Sequence, residues 1–201
     1  LEMRYHELQS QVNPHFLFNI LQSINGIAQI NGDKKVSRLI CMLSKFFRGN
    51  VDRHHTSCPL SEELEYVSNY LELYKNIYPD RLDIRWNVDK SLLSVNVPTY
   101  ILQPIVENSL VHGMEPSLQP CVIRISVYRA GEDLEVEVWD SGEGIKPDKL
   151  RRLNEGKEKS KRVGIRNVQD RIHILYGESY GLSVDSEYRK FTRVKIRLPM
   201  A

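Results

Sequence analysis

The sequence predicts an α+β protein in two parts, residues 1–57 and 58–201. The first part reads as a helical hairpin that forms a four-helix bundle on dimerisation. The second reads as an α/β sandwich with helices on one face of a mixed, mainly antiparallel sheet. Three observations lead there. Apolar residues recur at helical spacing through the N-terminal part. Pro59-Leu60-Ser61-Glu62-Glu63 then marks a break. From Arg81 onward, short alternating segments between turn residues take over, with helical stretches among them.

Leu1, Tyr5, Leu8 and Val12 share one helical face, and Phe16, Ile20, Ile24 and Ile27 continue the stripe towards Asn31. Asn31-Gly32-Asp33 is a turn signal, with Asp33 placed to cap a second helix carrying Val36, Leu39, Ile40, Leu43, Phe46 and Phe47. Two helices joined this way form an antiparallel hairpin. Such a hairpin cannot bury its stripe alone, so a second copy or the rest of the chain must cover it. Ser61 is the expected cap of a helix over 62–78, which Pro79-Asp80 ends. Leu82, Ile84, Trp86 and Val88 alternate as a strand. A helix is expected over 98–113, with Pro98 in its first turn and Gly113 just past its end. Residues 122–129 and 133–139 alternate about Ala130-Gly131 as a hairpin, and Val168, Ile172 and Leu175 mark a helix over 164–176 that stops at Gly177. Strands near 181–186 and 191–198 complete the chain.

At 201 residues, 41% hydrophobic and 27% charged, the composition is that of an ordinary folded protein. A net charge of +2 gives no global electrostatic case for nucleic acid or membrane, and no aromatic-basic platform for nucleic acid is present. Locally, Lys146 to Arg171 holds ten Lys or Arg against four acids, either a solvated charged loop or an attractor for polyphosphate. Cys41, Cys58 and Cys121 are odd in number and far apart, which argues against a disulfide framework or zinc site and fits a reducing compartment. No apolar run is long enough to span a membrane, and there is no signal peptide. Because the chain opens in a helical pattern, it is expected to be a fragment whose upstream part is missing.

On the expected helix 98–113, Asn108 and His112 share a face with Glu107 adjacent, while Ile101, Leu102, Ile105 and Leu110 form the opposite, core-like side. An amide oxygen is a hard ligand suited to Mg²⁺, which keeps several waters and bridges phosphates. Taken alone, the same pattern also describes a polar helix face. Asp140 ends an alternating strand and precedes Ser141-Gly142-Glu143-Gly144, where glycine permits close backbone approach to a ligand. A carboxylate there can accept from an exocyclic amine. Gly164 opens a helix after the basic loop, where free N–H groups favour phosphate.

The order of these segments resembles the GHKL-type ATPase domain. Its N box would hold Glu107, Asn108 and His112, its G1 box Asp140-Ser141-Gly142-Glu143-Gly144, and its G2 box Gly164. Upstream, Asn13-Pro14-His15-Phe16-Leu17-Phe18-Asn19 resembles the phosphoacceptor helix of the LytS/YesM-type sensor histidine kinases. Leu102-Gln103-Pro104-Ile105-Val106-Glu107-Asn108, Asp170-Arg171-Ile172 and Leu175-Tyr176-Gly177 resemble that family too. The resemblance implies autophosphorylation of His15 from ATP with Mg²⁺ on Asn108, then transfer to an aspartate of a response regulator receiver domain. It implies nucleotide contacts from Asn108, His112, Gly113, Asp140, Gly142, Gly144, Ile145, Gly164, Ile165, Arg166, Asn167 and Thr192. It also implies a homodimer at the cytoplasmic face of the bacterial plasma membrane, anchored only through the missing upstream segments, and a lid over about 146–163 that orders with nucleotide. From chemistry alone, a largely neutral imidazole at His15 suits a phosphoryl acceptor. Pro14 removes a helix hydrogen bond just before it, loosening the helix where the phosphate must enter.

Several positions depart from the family pattern. Phe16 stands where many histidine kinases carry an acid, so the general base is unassigned; Glu107 is the candidate, with Asn19 orienting the imidazole. Val111 replaces a frequent N-box lysine, leaving phosphate neutralisation to Arg166 or the basic lid. Arg189-Lys190-Phe191-Thr192 replaces a Gly-x-Gly-Thr-like turn, with only Thr192 matching. Val111 and Phe191 are the basis for an alternative, a degenerate nucleotide-binding scaffold that binds a regulator without phosphoryl transfer. A third reading, a GHKL ATPase of the chaperone or DNA-repair kind, has no use for the helical segment around His15.

Overall fold

A computed structural model describes residues 14–51, 55–117, 119–154 and 163–200. The chain divides into two compact units, Leu1–His54 and His55–Ala201.

The first unit is a helical hairpin of α1 (Pro14–Ile30) and α2 (Lys34–Val51). Gly32 takes a left-handed φ of 72°, and Asp33 caps α2 by accepting from the Val36 N–H at 3.0 Å. Leu21, Ala28 and Ile40 are buried between the helices, with Leu17, Leu43 and Phe47 packed around them. The stripe Phe16, Ile20, Ile24 and Ile27 faces away and is exposed, as is Ile30. Among the described residues of the hairpin, the face of α1 turned towards α2 is the buried one. The positions Leu1, Tyr5, Leu8 and Val12 lie outside the described residues.

The second unit begins with β1 (Ser57–Pro59), α3 (Leu60–Ile77), β2 (Leu82–Val88) and β3 (Asn96–Pro98). Then come α4 (Gln103–Asn108), β4 (Cys121–Ala130), β5 (Asp133–Asp140), α5 (Pro147–Asn154), α6 (Val163–Tyr176), β6 (Gly181–Glu187) and β7 (Phe191–Pro199). Five strands form one sheet in the order β2-β4-β5-β7-β6. Only β2 and β4 run parallel. The period-two alternation puts Ile123, Ile125, Leu134, Val136, Val138, Val194, Ile196 and Leu198 on one face. There they join Leu64, Val67 and Leu71 of α3, Ile105 and Val106 of α4, and Val168 and Ile172 of α6 in a single core. The opposite face is polar. Glu135 and Glu137 of β5 lie beside Lys195 of β7 at 3.8 Å each, and Arg197 pairs with Asp133.

Three boundaries differ from the sequence reading. Pro98 does not open a helix but ends β3, which pairs with β1; α4 starts later, with Pro104 in its first turn. Gly113 does not follow the helix either. Beyond Asn108 the helix widens into a π-helical turn, Ser109–Met114, where the Glu115 N–H donates to Leu110 O at 2.9 Å. Ser61 is not the cap of α3, which begins at Leu60 after Pro59 with no side-chain cap. By contrast α6 stops at Gly177 in the left-handed region, φ 81°, as its residue type suggested.

Ile172 is fully buried while Ile174, on the same helix, is 83% exposed. Ile172→Ala should lower stability by about 2–5 kcal/mol, whereas Ile174→Ala should change it by less than about 0.5 kcal/mol. Urea unfolding of both variants checks this, and equal midpoints would contradict the packing of α6.

Candidate functional site

The ends of β5 and β7 meet α4, its π turn and α6 around one cleft. Ile105, Asn108, Ser109, His112, Gly113, Asp140, Gly144, Ile165, Val184, Thr192 and Val194 line it. Asp140 is buried at the C-terminal end of β5. The Gly142 N–H donates to its Oδ1 at 3.1 Å, which orients the carboxylate.

The glycines here are set by contact distances. A Cβ on Gly113 would stand 2.6 Å from Asp140 Oδ1, and one on Gly142 would stand 2.3 Å from the Gly113 carbonyl carbon. Gly144 combines a φ of 66° with a Cβ position 2.2 Å from Glu187 O. Gly164 abuts the Pro104 side chain, so α6 starts against α4. The Glu143 N–H donates to Gly113 O at 3.0 Å, tying the turn after β5 to the π turn.

Around this centre, Asn108 Nδ2 donates to Pro104 O one turn back, which turns Oδ1 into the acceptor the side chain can offer elsewhere. Ser186 Oγ accepts from the Ile145 N–H at 2.8 Å and lies 3.3 Å from Thr192 Oγ1. The turn between β6 and β7 lacks glycine. Arg189 takes the left-handed region, φ 63°, and donates its N–H to Glu143 O at 2.6 Å, while its guanidinium lies 3.8 Å from the Glu143 carboxylate.

The structure thus brings Asn108, His112, Gly113, Asp140, Gly144, Ile165 and Thr192 to one lining, with Gly142, Ile145 and Gly164 directly behind it. Glu107 is exposed beside Asn108. Arg166 and Asn167 are exposed on α6, where Arg166 lies 3.8 Å from Asp170. Of the expected lid, Pro147–Asn154 is helical and 155–162 lie outside the described residues. Val184, Val194 and Ser109 were missed by the sequence reading, and Ile105 was read only as core. The signal for the two valines was the inward phase of β6 and β7.

His15 and Asn19 belong to the other unit. His15 is exposed on α1, and Asn19 Nδ2, one turn on, lies 3.3 Å from its Nδ1 and 3.4 Å from its Nε2. An amide donor there needs an unprotonated ring nitrogen to accept its hydrogen.

Among the described residues no cluster of three His, Cys, Asp or Glu forms a metal cage. One amide oxygen beside a cleft with a buried carboxylate suits a cation carried in by phosphates, not one held by protein alone. Cys121, at the base of the site, has its thiol pushed up to about 11, by burial first and the nearby Asp140 charge second, with Ser141 hydrogen bonds opposing.

Residues 3–82 match the histidine kinase family, and residues 96–201 match the histidine kinase-, DNA gyrase B-, and HSP90-like ATPase family. The chain belongs to the histidine kinase family. Sensor histidine kinase YesM of Bacillus subtilis is 32% identical to this chain over 192 residues, 96% of this chain and 32% of the relative. Sensor protein LytS of the same organism is 33% identical over 197 residues, 96% and 33% of the two chains. Sensor histidine kinase YpdA of Escherichia coli is 33% identical over 172 residues, 85% and 30%. The chain therefore spans about a third of the length of these relatives. Among solved structures, the histidine kinase domain of the blue-light activated kinase from Erythrobacter litoralis EL346 shares its fold, with a TM-score of 0.51 at 18% identity. That match covers 94% of this chain and 86% of the other. The nucleotide-free catalytic domain of histidine kinase ThkA gives a TM-score of 0.53 at 18% identity, covering 72% and 96%. No helix among the described residues is long and apolar enough to cross a membrane.

Two outcomes are expected around this cleft. Arg189→Gly relieves the left-handed backbone and forfeits an exposed ion pair and the guanidinium's place over the Tyr188 ring, so stability should rise by less than about 1 kcal/mol; a lower unfolding midpoint would contradict it. For Cys121, the unfolded thiol ionises before the folded one. Its contribution is therefore complete below about pH 9 and lost as pH rises towards about 11. Measuring urea midpoints of the native chain and Cys121→Ser across that range checks it, the native chain falling more steeply.

Proposed function

We propose that this chain is the dimerisation and catalytic portion of a two-component sensor histidine kinase, which transfers the ATP γ-phosphoryl group to His15. The observation carrying this reading is the cleft in which a buried Asp140 is approached so closely by Gly113 and Gly142 that no side chain fits at either position. A planar ring edge bearing an amine can lie against such a wall and donate to the carboxylate, as adenine does. Residues 1–57 would serve as the phosphoacceptor and dimerisation part, and 58–201 as the ATP-binding part.

In this reading the adenine end lies at Asp140, Gly142, Gly144, Ile145 and Thr192, with Ile105, Val184 and Val194 as the apolar floor. The phosphates lie towards Asn108, His112, Gly113 and the start of α6 at Gly164, Ile165, Arg166 and Asn167, where unpaired helix N–H groups favour anions. Mg²⁺, held by Asn108 Oδ1 and the phosphates, would offset phosphate charge. An unprotonated nitrogen of His15 attacks the γ-phosphorus, the bond from phosphorus to the β–γ bridging oxygen breaks, and ADP leaves. Asn19 orients the ring. The proton on the other ring nitrogen passes to a base, for which Glu107 is the available carboxylate. The phosphoryl group then goes to an aspartate of a response regulator receiver domain. The exposed row of Phe16, Ile20, Ile24, Ile27 and Ile30 supports a homodimer, a second copy covering what one hairpin leaves in water.

Incubation with γ-labelled ATP and Mg²⁺ tests the reaction. Acid-labile label is expected on the native chain and none on His15→Ala, with Asp140→Ala abolishing ATP binding. A native chain that binds ATP but takes no label, even when extended by its upstream region, would favour the scaffold alternative. The dimer has its own test. Replacing Ile24 and Ile27 by Asp should convert a dimer to a monomer in sedimentation equilibrium, and an unchanged mass would overturn that assignment.

A further inference from the structure

The nucleotide-facing segment cannot hold its own shape. Its α-helical part, Gln103–Asn108, is six residues long, and the following six form a π turn. Helices this short are marginal without outside support, and π geometry is rarer still. The segment is also entered through Tyr100, a non-glycine residue in the left-handed region at φ 60°.

Support comes from either end of α3. At the entrance, the fully buried Glu63 carboxylate accepts three backbone N–H groups: Tyr100 on Oε1 at 2.8 Å, and Ile101 and Leu102 on Oε2 at 3.1 Å each. At the exit, Arg81, just after α3, donates through Nη2 to the carbonyls of Met114 at 3.0 Å, Glu115 at 3.4 Å and Ser117 at 2.5 Å. An anion thus sits on the exposed N–H groups and a cation on the exposed carbonyls, each matching the partial charge at that end. Asn108, His112 and Gly113 lie between them.

We propose that Glu63 and Arg81 are positioning residues for the nucleotide, clamping this segment so that Asn108 meets the metal-bearing phosphates; this rests on the ATP-binding reading above. The backbone at Asp140 is set by the strand pairing of β5 with β4 and β7, and the clamped segment meets it only through Gly113. Loosening the clamp therefore affects the phosphate end more than the adenine end.

The test is calorimetric titration of the whole chain with ATP, with and without Mg²⁺, for the native protein, Glu63→Gln, Arg81→Lys and Asp140→Ala. Glu63→Gln presents an amide N–H₂ to backbone donors, and Arg81→Lys keeps the charge while losing the planar fork of donors. In both, the gain in affinity that Mg²⁺ confers should shrink about tenfold, the usual effect of removing a group that orients a metal ligand. The magnesium-free affinity should fall far less. A merely structural role would lower both affinities together. That outcome, or no change in either, overturns the proposal. Should Glu63→Gln not unfold cooperatively at the assay temperature, the same split measured on Arg81→Lys decides. If Asp140→Ala binds ATP as tightly as the native chain, the nucleotide reading itself fails, which is distinct from failure of the clamp.

Discussion

A buried carboxylate binds the second unit together. Glu63 has no exposure to water, so its desolvation must be balanced within the protein, and the three backbone N–H groups before α4 provide that balance. Removing either side would leave the other unsatisfied in a dry environment, a far larger penalty than the net worth of an ordinary hydrogen bond. Because those N–H groups belong to the stretch between β3 and α4, the same contact fixes where the strand stops and the helix starts. Neighbouring ties converge on that stretch. Thr99 donates through Oγ1 to His55 O at 2.9 Å, its own N–H donates to Thr56 O at 3.2 Å, and its carbonyl accepts from Arg171 of α6. The entry of the chain into the unit, the start of α4 and the packing of α6 thus share a few residues.

Much of this architecture was legible in the sequence, because much of it is locally determined. The β4–β5 hairpin follows from alternation about Gly131, and the end of α6 from Gly177, where the residue type matches a left-handed φ. Asp33 caps α2 with its own side chain. The region 98–113 was misjudged because what decides it is distant. Pro98 suits a first helical turn and the end of an edge strand equally well, and the choice is made by β1 and Glu63, far away along the chain. Strands of three residues such as β1 and β3 carry too little alternation to be seen, and nothing local marks where an α-helix will widen. At the site, Asn108, Asp140 and Gly144 stood out by residue type and Thr192 through the family resemblance alone, whereas Val184 and Val194 look like any strand interior. Their part in the cleft arises only from the pairing of β6 with β7, where they face each other.

The hairpin and the sheet manage exposed surface in opposite ways. On the outer sheet face, acids and bases alternate across β5 and β7, and Arg124 lies over the Trp139 ring, itself stacked on Phe191. Such a surface is content in water and offers little to a non-specific partner. The hairpin instead leaves Phe16, Ile20, Ile24, Ile27 and Ile30 in solvent along one line. The two surfaces thus differ in how much apolar area they leave in water.

The mutual contacts of Gly113, Asp140 and Gly142 have a consequence for how this protein can change over time. A methyl group on Gly113 would collide with the carboxylate of Asp140, and one on Gly142 with the backbone of residue 113. A replacement at either glycine meets another member of the trio, Asp140 from position 113 and Gly113 from position 142, so their effects should not simply add. Shortening Asp140 could make room at 113 without easing 142, because that second collision is with main chain and not side chain. In a lineage, these three positions would drift as one unit or stay as they are.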